Sequence, residues 1–300
     1  MTIYPATISA LVLHFRSPEP TLQCLRSLSQ EGIRNAVLVD NSEDSGRSID
    51  IMASALTKLR RSGMSIQVVD PAQNLGFAKG VNLGLSRANV NNTTAILLIN
   101  SDAIVEAGSV ARLASGLQNA DIVIPRVCDN TGASRSLFNY YCAMTSLLIK
   151  KPCQKSLKYA SGCCMLVRSN IARGALFDED FFFYGEDVAL SSELLKVGAK
   201  IIEEKAALIQ HSGSESSKNG SLFYEYHINR GHWLLAKKLA RNSFEKNLYL
   251  TCRCVVLPLR ASIRCWRLKS LTPLLGFITA SVDLIRGQFR SFTPPPKSEK

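Results

Sequence analysis

Residues 95–102 read Ala-Ile-Leu-Leu-Ile-Asn-Ser-Asp, an apolar run of strand length that ends directly on polar side chains. Such a run predicts a buried strand. Similar runs alternate with amphipathic stretches over the first 125 residues. The predicted strands are Ile8–Leu13, Ala36–Val39, Ser65–Val69, Ala95–Ile99 and Asp121–Ile124, and the predicted helices are Glu19–Gln30, Ile49–Arg61, Phe77–Ala88 and Ser109–Asn119. This alternation predicts an α/β fold in which helices flank a mostly parallel sheet.

Polar residues follow these strands at the places where a ligand site is expected. Ligands of open α/β sheets bind at the carboxyl ends of the strands, and Asp40, Asn41, Asn100 and Asp102 all come at such ends. A carboxylate beside a short amide suits Mg²⁺ or Mn²⁺, which favour oxygen ligands and often take few of them from the protein. The alternative is that Asp102 caps the helix that follows it.

An acidic pair, Glu186-Asp187, follows an aromatic run over residues 177–185. Burial against aromatic walls and a second carboxylate both raise the pKa of an acid, as a general base working near neutral pH requires. Alternatively, the two acids are the N-terminal charges of the next helix, a position that the helix dipole favours.

Two further features point to ligands. Residues 74–82 read Asn-Leu-Gly-Phe-Ala-Lys-Gly-Val-Asn and begin a predicted helix, where backbone N–H groups suit an anion. The alternative there is a capped helix with close glycine packing. His211 follows a short predicted strand and is either a further metal or phosphate ligand or a structural histidine.

The composition excludes several classes of protein. With 46% apolar and 20% charged residues, the chain is not predominantly disordered, and no apolar run approaches the length of a membrane-spanning helix. The first 15 residues lack the pattern of a signal peptide, so the nine cysteines are expected to be reduced thiols in the cytosol. Their spacing is not that of a zinc site.

The positive charge is concentrated at one end of the chain. Of the formal net charge of +12, residues 226–300 contribute +11, with 14 Lys and Arg against 3 Asp and Glu. Two apolar stripes recur there at helical spacing. The stripes are Tyr249, Cys252, Val256, Leu259, Ile263 and Trp266, and then Leu271, Leu275, Ile278, Val282, Ile285 and Phe289.

Four arginines, Arg253, Arg260, Arg264 and Arg267, each follow a stripe position by one residue and are expected to border the stripe. This arrangement fits an anionic membrane surface bound through residues 249–290 better than it fits nucleic acid, which is not an expected partner. The alternative is that the stripes pack on the rest of the protein. Pro258 is expected to kink or divide the first of the two helices.

In order along the chain, these motifs resemble those of the family 2 inverting glycosyltransferases of the GT-A fold, especially the rhamnosyltransferase-like branch of bacterial surface-polysaccharide synthesis. The resemblance covers roughly residues 6 to 232. The matching motifs are Val39-Asp40-Asn41, Asn74 to Ala78 with Asn82, Ile99-Asn100-Ser101-Asp102, Ser161-Gly162-Cys163-Cys164-Met165-Leu166, Phe177-Asp178-Glu179 through Glu186-Asp187, and His211 with Gly213.

The resemblance implies a role for each matched position. Asp187 would be the general base, with Glu186 beside it, and Asp102 with His211 would hold Mg²⁺ or Mn²⁺ on the donor diphosphate. Gly162, Phe183 and Tyr184 would lie on the acceptor side of the site. The implied donor-binding residues are Asp40, which would contact the nucleotide base, Asn41, Asn74, Gly76, Phe77, Lys79, Asn82, Asn100 and Arg230.

The implied function is metal-dependent transfer of a sugar, with rhamnose favoured, from a nucleotide-sugar to a lipid-linked saccharide in O-antigen or similar polysaccharide assembly. There are two alternatives: a UDP-hexose donor, with galactose or glucose as the sugar, or a degenerate protein that binds or assembles without catalysing transfer.

Residues 1–225 would form the catalytic domain, with 126–160 an irregular insertion on the acceptor side. Residues 226–300 would form a basic amphipathic helical extension, with a disordered tail from about 292. The expected location is the cytoplasmic face of the membrane.

Three positions depart from the pattern of that family. Ser101 replaces a proline, Ala189 replaces an acid one turn from the candidate base, and Gly231 replaces an asparagine after Arg230. None of them removes the candidate base or the candidate metal-binding acid, so we expect activity.

Overall fold

The computed structural model describes residues 4–88, 93–128, 131–149, 151–154, 156–211, 219–290 and 292. The strands are β1 (Ile8–His14), β2 (Asn35–Asp40), β3 (Ser65–Val69), β4 (Ala95–Asn100), β5 (Ala103–Val105), β6 (Ile122–Cys128), β7 (Ser134–Ser136), β8 (Phe138–Cys142), β9 (Leu148–Ile149), β10 (Ser156–Ala160), β11 (Cys164–Arg168) and β12 (Ile201–His211). The helices are α1 (Pro18–Gln30), α2 (Arg47–Arg61), α3 (Gly76–Arg87), α4 (Ser109–Gly116), α5 (Glu186–Lys196), α6 (Leu222–Lys238), α7 (Ser243–Leu268) and α8 (Thr272–Ile285).

The chain divides into two compact units. The first unit consists of Met1–Phe138, Ala160–Glu179 and Glu193–Gly213, and the second unit consists of Asn139–Tyr159, Asp180–Ser192 and Ser214–Lys300. The predicted division at residue 225 into a catalytic domain and an extension stays a prediction. Apart from Phe292, the predicted disordered tail lies outside the described residues, as does Gly213.

A nine-stranded sheet forms the centre of the first unit. Its order is β3-β2-β1-β4-β11-β6-β12-β5, with β7 on β6, and six of the nine strands run in one direction. The apolar residues of β1, β2 and β4 are buried except for Leu13, which is half-buried, as apolar runs of strand length predict. The α/β fold with a mostly parallel sheet and flanking helices is therefore confirmed.

Helix α3 lies directly on this sheet because glycine faces it. A Cβ on Gly80 would lie 2.7 Å from Leu13 Cδ1, and a Cβ on Gly84 would lie 2.8 Å from Leu11 Cδ1. Any larger residue would move the helix away from the ends of β1 and β2. The two glycines thus fix where α3 begins relative to Asp40 and Asn41.

The second unit is built around α6. Residues on every side of this helix are buried, polar ones included, and α6 packs against both α7 and α8. The segment 126–160, which the sequence predicts to be irregular, contains β7 to β10, and β10-β8-β9 form a small separate sheet. The helix-rich C-terminal region is confirmed.

Helix α7 is one helix of 26 residues that continues through Pro258, so it is not divided there. Of the four arginines expected to border the stripe, three are engaged inside the second unit. Arg253 is fully buried, whereas Arg260 and Arg264 pair with the buried Glu225 of α6. These three positions share the inner face of α7. No helix among the described residues is long and apolar enough to cross a membrane.

Candidate active site

The candidate site residues lie in both units, and each group is described within its own unit. In the first unit, β2 ends on Asp40, whose Oδ1 accepts a hydrogen bond of 3.0 Å from the Ser42 amide. Burial raises the pKa of Asp40, with smaller contributions from Asp44 and Asp70, while the bonds from Ser42 oppose the rise. Asp40 is thus a buried acceptor fixed at the carboxyl end of a strand.

The loop before α3 is tied to the end of β2. Asn41 is buried and donates from Nδ2 to the Gly76 carbonyl at 2.9 Å. Asn74 Oδ1 accepts from the Gly76 amide at 2.9 Å, and Gly76 has a φ of +74° that favours glycine. Lys79 is exposed on the first turn of α3. The close glycine packing of this helix start is present in the structure, and binding of an anion by its amides and by Lys79 stays a prediction.

Asn82 has a structural role in this unit. Its Oδ1 accepts from the amides of Leu176 and Phe177 at 2.9 and 3.0 Å. Its Nδ2 donates to the Phe177 carbonyl at 2.8 Å and to Glu179 at 3.1 Å. Two acceptor sites and two donors are the full capacity of an amide side chain. The side chain therefore holds residues 176–179 in place.

Gly162 lies next to an aromatic pair in the same unit. The rings of Phe77 and Phe177 meet edge to face at 5.3 Å. A Cβ on Gly162 would lie 3.3 Å from Phe77 Cζ and 3.9 Å from Phe177 Cζ. The absence of a side chain at Gly162 leaves room for this ring pair.

Asp102 and His211 are brought together by strand pairing. β5 and β12 are antiparallel, and His211 lies opposite Ala103, the residue after Asp102. His211 Nε2 lies 3.2 Å from Asp102 Oδ1, and both side chains are largely buried. Asn100 lies at the end of β4, where its amide donates to the Cys163 carbonyl at 2.9 Å. Burial lowers the pKa of His211, but Asp102 and Cys163 outweigh burial and raise it to about 10.

The Asp102–His211 pair fits a divalent cation as part of a larger ligand set. In the absence of a cation the two side chains face each other as a pair, and a cation bound here would take the place of this contact, with His211 giving up its proton. Neighbouring ligand atoms of an octahedral Mg²⁺ are about 3 Å apart, close to the separation of these two atoms. Among the described residues no group of three His, Cys, Asp or Glu side chains could hold a metal ion. A cation here would take its other oxygens from a phosphate ligand or from water.

In the second unit, Glu186 and Asp187 begin α5. Glu186 is buried, and its Oε2 has no hydrogen-bond partner. Burial, and then the Asp187 carboxylate, raise the pKa of Glu186 to about 8. Asp187 is less buried, and its Oδ1 accepts from the Val188 amide at 2.8 Å. At neutral pH the pair thus combines a protonated Glu186 with the more accessible Asp187.

Tyr159 is a neighbour of this pair for which the sequence gives no signal. Burial, and then the carboxylates of Asp187 and Glu186 among other groups, raise its pKa. Ala189, one turn into α5, belongs to an apolar cluster with Tyr159 and Leu235. The acid that the family pattern has at position 189 is therefore replaced by a residue that packs in the core.

The turn before the acidic pair is strained and tightly packed. Tyr184 has a φ of +67° and Gly185 a φ of +103°. A Cβ on Gly231 would clash with the Tyr184 carbonyl oxygen, so α6 lies directly on the turn. Phe183 packs against Phe223 at 5.6 Å and against Tyr184 at 4.4 Å. The departure at Gly231 thus has a packing reason.

Arg230 lies one residue before that contact. It donates from Nη1 to the Asp180 carbonyl at 2.5 Å, and its guanidinium lies 4.9 Å from the centre of the Phe289 ring. Its Nε is buried without a hydrogen-bond partner, and burial lowers its pKa. Arg230 is thus a partly satisfied cation that can donate a further hydrogen bond.

Solved structures of three glycosyltransferases are similar to this chain. The mannosyltransferase PcManGT from Pyrobaculum calidifontis, solved with GDP-Man and Mn²⁺, is 12% identical, with a TM-score of 0.54 over 96% of this chain and 90% of that chain. S. aureus TarS 1-349 is 16% identical, with a TM-score of 0.53 over 93% and 80%. GalNAc-T7, solved with UDP, GalNAc and Mn²⁺, is 14% identical, with a TM-score of 0.54 over 68% and 42%, so this chain spans less than half of its length. At these identities the likeness shows the fold. A comparison with curated protein sequences gives no match.

A family model gives the remaining comparison. The model of glycosyl transferase family 2 matches residues 9–174, which is more than half of the chain and includes Asp40, residues 74–82 and Asp102. The rhamnosyltransferase-like branch stays a prediction. The chain therefore belongs to glycosyl transferase family 2, has the GT-A fold, and is a glycosyltransferase.

Proposed function

We propose that the chain is an inverting, metal-dependent transferase that moves a sugar from a nucleotide-sugar donor to a hydroxyl of a lipid-linked saccharide. The observation that carries the proposal is the Asp102–His211 pair, largely buried at strand ends inside a family 2 fold. The similar structures solved with GDP-Man or UDP and with Mn²⁺ support a nucleotide donor and a divalent cation.

The donor is held by residues of the first unit. Asp40 accepts a hydrogen bond from the nucleotide base, and Asp102 with His211 holds the cation. When bound, Mg²⁺ or Mn²⁺ would neutralise charge on the diphosphate leaving group. Lys79 adds a positive charge at the start of α3, where backbone N–H groups also favour an anion. The proposed catalytic domain, residues 1–225, contains all of these residues.

The acceptor is activated by Asp187. Its carboxylate takes the proton of the acceptor hydroxyl while the hydroxyl oxygen forms a bond to the anomeric carbon. The bond from that carbon to the diphosphate oxygen breaks, and its electron pair leaves with the nucleoside diphosphate, so one displacement inverts the anomeric centre. Glu186, protonated at neutral pH, keeps a second negative charge away from the base.

The donor and the pathway rest on the family resemblance. A dTDP-rhamnose donor is favoured, and a UDP-hexose is the alternative. A lipid-linked acceptor requires the enzyme to work at a membrane surface. We propose the cytoplasmic face, since all nine cysteines are free thiols in the structure.

A donor screen tests this function first. Thermal shifts are measured with a panel of sugar nucleotides, each with and without Mg²⁺ or Mn²⁺, because a ligand that binds the folded chain raises its apparent stability. We expect one nucleotide to stabilise the protein only with metal, and Asp102→Ala to lose most of that metal dependence. No stabilisation by any sugar nucleotide would contradict the proposal.

The base is tested by Asp187→Asn. We expect donor binding to persist and the transfer rate to fall by about 10²–10⁴-fold, the usual contribution of a general base. Asp50→Asn, which changes an exposed acid of α2, is the matched control and should transfer at the wild-type rate. Unchanged transfer in Asp187→Asn would remove the assignment of the base.

A further inference from the structure

Helix α8 packs on α6 through small residues and exposes large apolar residues on its opposite side. On its inner side Gly276 packs so closely on α6 that a Cβ there would lie 2.5 Å from Glu225 Cβ, and Ala280 is fully buried. On its outer side Leu271, just before the helix, Leu275 and Ile278 are all exposed. A helix whose outer face meets water normally has the reverse distribution.

Helix α7 continues this apolar surface to the turn between the two helices. Val255, Leu259 and Ile263 are exposed at steps of four residues, and Trp266 is 81% exposed. Leu271 follows five residues later, at the turn that joins α7 to α8. We call the exposed residues Leu259, Ile263, Trp266, Leu271, Leu275 and Ile278 the outer face. Six large apolar residues exposed on two consecutive helices point to an interaction site.

The exposed charges in the stretch 246–290 are all positive. Arg267 and Lys269 are exposed at the turn, and Arg286 is exposed just after α8. Asp283 is the one acid in the continuously described stretch 246–290, and it is fully buried. Trp, Leu and Ile flanked by Arg and Lys are the combination that binds the headgroup region of anionic bilayers.

We propose that the outer face docks on an anionic lipid bilayer, with Trp266 and the leucines inserted and with Arg267 and Lys269 at the phosphates. This inference deepens the proposed function, because it names the surface that would bring the enzyme to a lipid-linked acceptor. It also changes which cations are expected to attract the anionic bilayer. Arg253, Arg260 and Arg264 are engaged inside the unit, so the attraction depends on the few cations at the turn. The excess of positive charge selects lipid phosphate over a second copy of this chain as the occupant, since two such faces would repel.

Vesicle binding by the full chain tests the proposal. Sedimentation is measured with neutral phosphatidylcholine vesicles and with vesicles that also contain phosphatidylglycerol, at low and at raised salt. We expect binding to the anionic vesicles that weakens with salt. Trp266→Ser should weaken it at least tenfold, and Arg267→Gln with Lys269→Gln about 25-fold, since each cation near the surface contributes about fivefold.

Two matched control variants remove the same kinds of exposed side chain from α2, outside the outer face. Ile51→Ser removes an exposed apolar side chain of α2, and Lys58→Gln with Arg61→Gln removes two exposed cations of that helix. Both should bind vesicles as the wild type does. Of the two tryptophans, Trp233 is buried and Trp266 is exposed, so a blue shift of the emission on vesicle binding reports insertion at the outer face.

Several outcomes would overturn the inference: no binding to anionic vesicles, equal binding by Trp266→Ser, or a dimer in sedimentation velocity that the outer-face substitutions dissociate. Donor binding measured by thermal shift without lipid tests the proposed function separately. A chain that binds its nucleotide but not vesicles would overturn only the docking surface. A chain that binds vesicles but no nucleotide would overturn only the transferase mechanism.

Discussion

Replacing Arg253 by methionine tests whether the positive charge of α7 holds the second unit together. The guanidinium is fully buried and donates four hydrogen bonds. Nε donates to the His232 carbonyl at 2.6 Å, Nη1 to the carbonyls of Ala143 at 2.9 Å and Tyr249 at 3.0 Å, and Nη2 to the Tyr141 hydroxyl at 3.3 Å. Methionine fills a similar space with no donor.

The expected loss in the free energy of unfolding depends on the hydrogen-bond acceptors that lose their donor when Arg253 is replaced. His232 and Tyr249 lie inside α6 and α7, where each carbonyl also accepts from the amide four residues later, so these two carbonyls keep a partner. The Ala143 carbonyl loses its guanidinium donor in a buried place, and the hydroxyl of Tyr141 loses one of its partners. A buried polar group deprived of a partner costs about 1–3 kcal/mol. The Tyr141 hydroxyl keeps its hydrogen bond of 3.0 Å to His232 Nδ1, so its loss is that of one hydrogen bond, about 0.5–1.5 kcal/mol. We therefore expect Arg253→Met to lower the free energy of unfolding by about 1.5–4.5 kcal/mol.

Urea titration followed by circular dichroism measures this loss, with Arg267→Met as the control. Arg267 is on the same helix but exposed, and such a surface change typically alters stability by no more than about 0.5 kcal/mol. If Arg253→Met lowers the free energy of unfolding by less than about 1 kcal/mol, the four hydrogen bonds of Arg253 do not hold the second unit together. The division of the α7 arginines into structural ones and ones that face lipid would then be wrong.

Three further changes test other parts of the structure. Gly231→Ala places a Cβ against the Tyr184 carbonyl oxygen, so we expect a loss of about 1–3 kcal/mol in urea titrations and about tenfold in kcat; a stable, fully active variant would contradict this packing. Asn82→Ala leaves two backbone amides of the 176–179 segment without acceptors and should cost about 2–4 kcal/mol, whereas weaker donor binding at unchanged stability would indicate a donor contact. Because the pKa of Glu186 is raised from 4.5 to about 8 on folding, the folded chain holds a proton there that the unfolded chain releases. The free energy of unfolding should therefore fall as pH rises between these values, by at most about 1.4 kcal/mol per pH unit, and Glu186→Gln should remove this slope.

The strands of the first unit could be predicted because they are short apolar runs bounded by polar residues. The predicted Ser65–Val69 coincides with β3, and other strands differ by a few residues at their ends. Residues 201–209 show why this fails elsewhere. They read as two strands because Glu203, Glu204 and Lys205 interrupt the apolar pattern, but β12 runs through them with a shift in register. An irregular pairing lets charged residues stay in a strand.

The site could be predicted only where its chemistry is local. The acidic pair Glu186-Asp187 is adjacent in sequence, and so its mutual effect on pKa can be anticipated. The neighbour Tyr159 and the contact of Cys163 with His211 depend on which strands pair, and no local pattern contains that information. The role of Asn82 could not be read either, because an amide beside a glycine-rich helix start looks the same whether it binds a ligand or a loop.

Helix α6 shows what a periodicity argument misses in the C-terminal region. A periodicity argument looks for one apolar face, but α6 is buried on all sides and carries Glu225, His227, Asn229 and His232 among its buried residues. Burying such groups is unfavourable unless each finds a partner. The arginines of α7 supply some of those partners, and a charge count alone assigns these arginines to the solvent.

Part of the positive charge of residues 226–300 therefore has a structural role, which a count of charges cannot show. On the inner face of α7, cations pair with Glu225 or donate to carbonyls, and these contacts fasten α7 to α6. The same helix α6 presses Gly231 against the turn that precedes Glu186. The extension is thus part of the scaffold of the candidate base, and its removal should disturb that base. What remains for the proposed bilayer contact is an apolar surface with a few cations at one turn, so binding should need both the inserted side chains and the lipid phosphates.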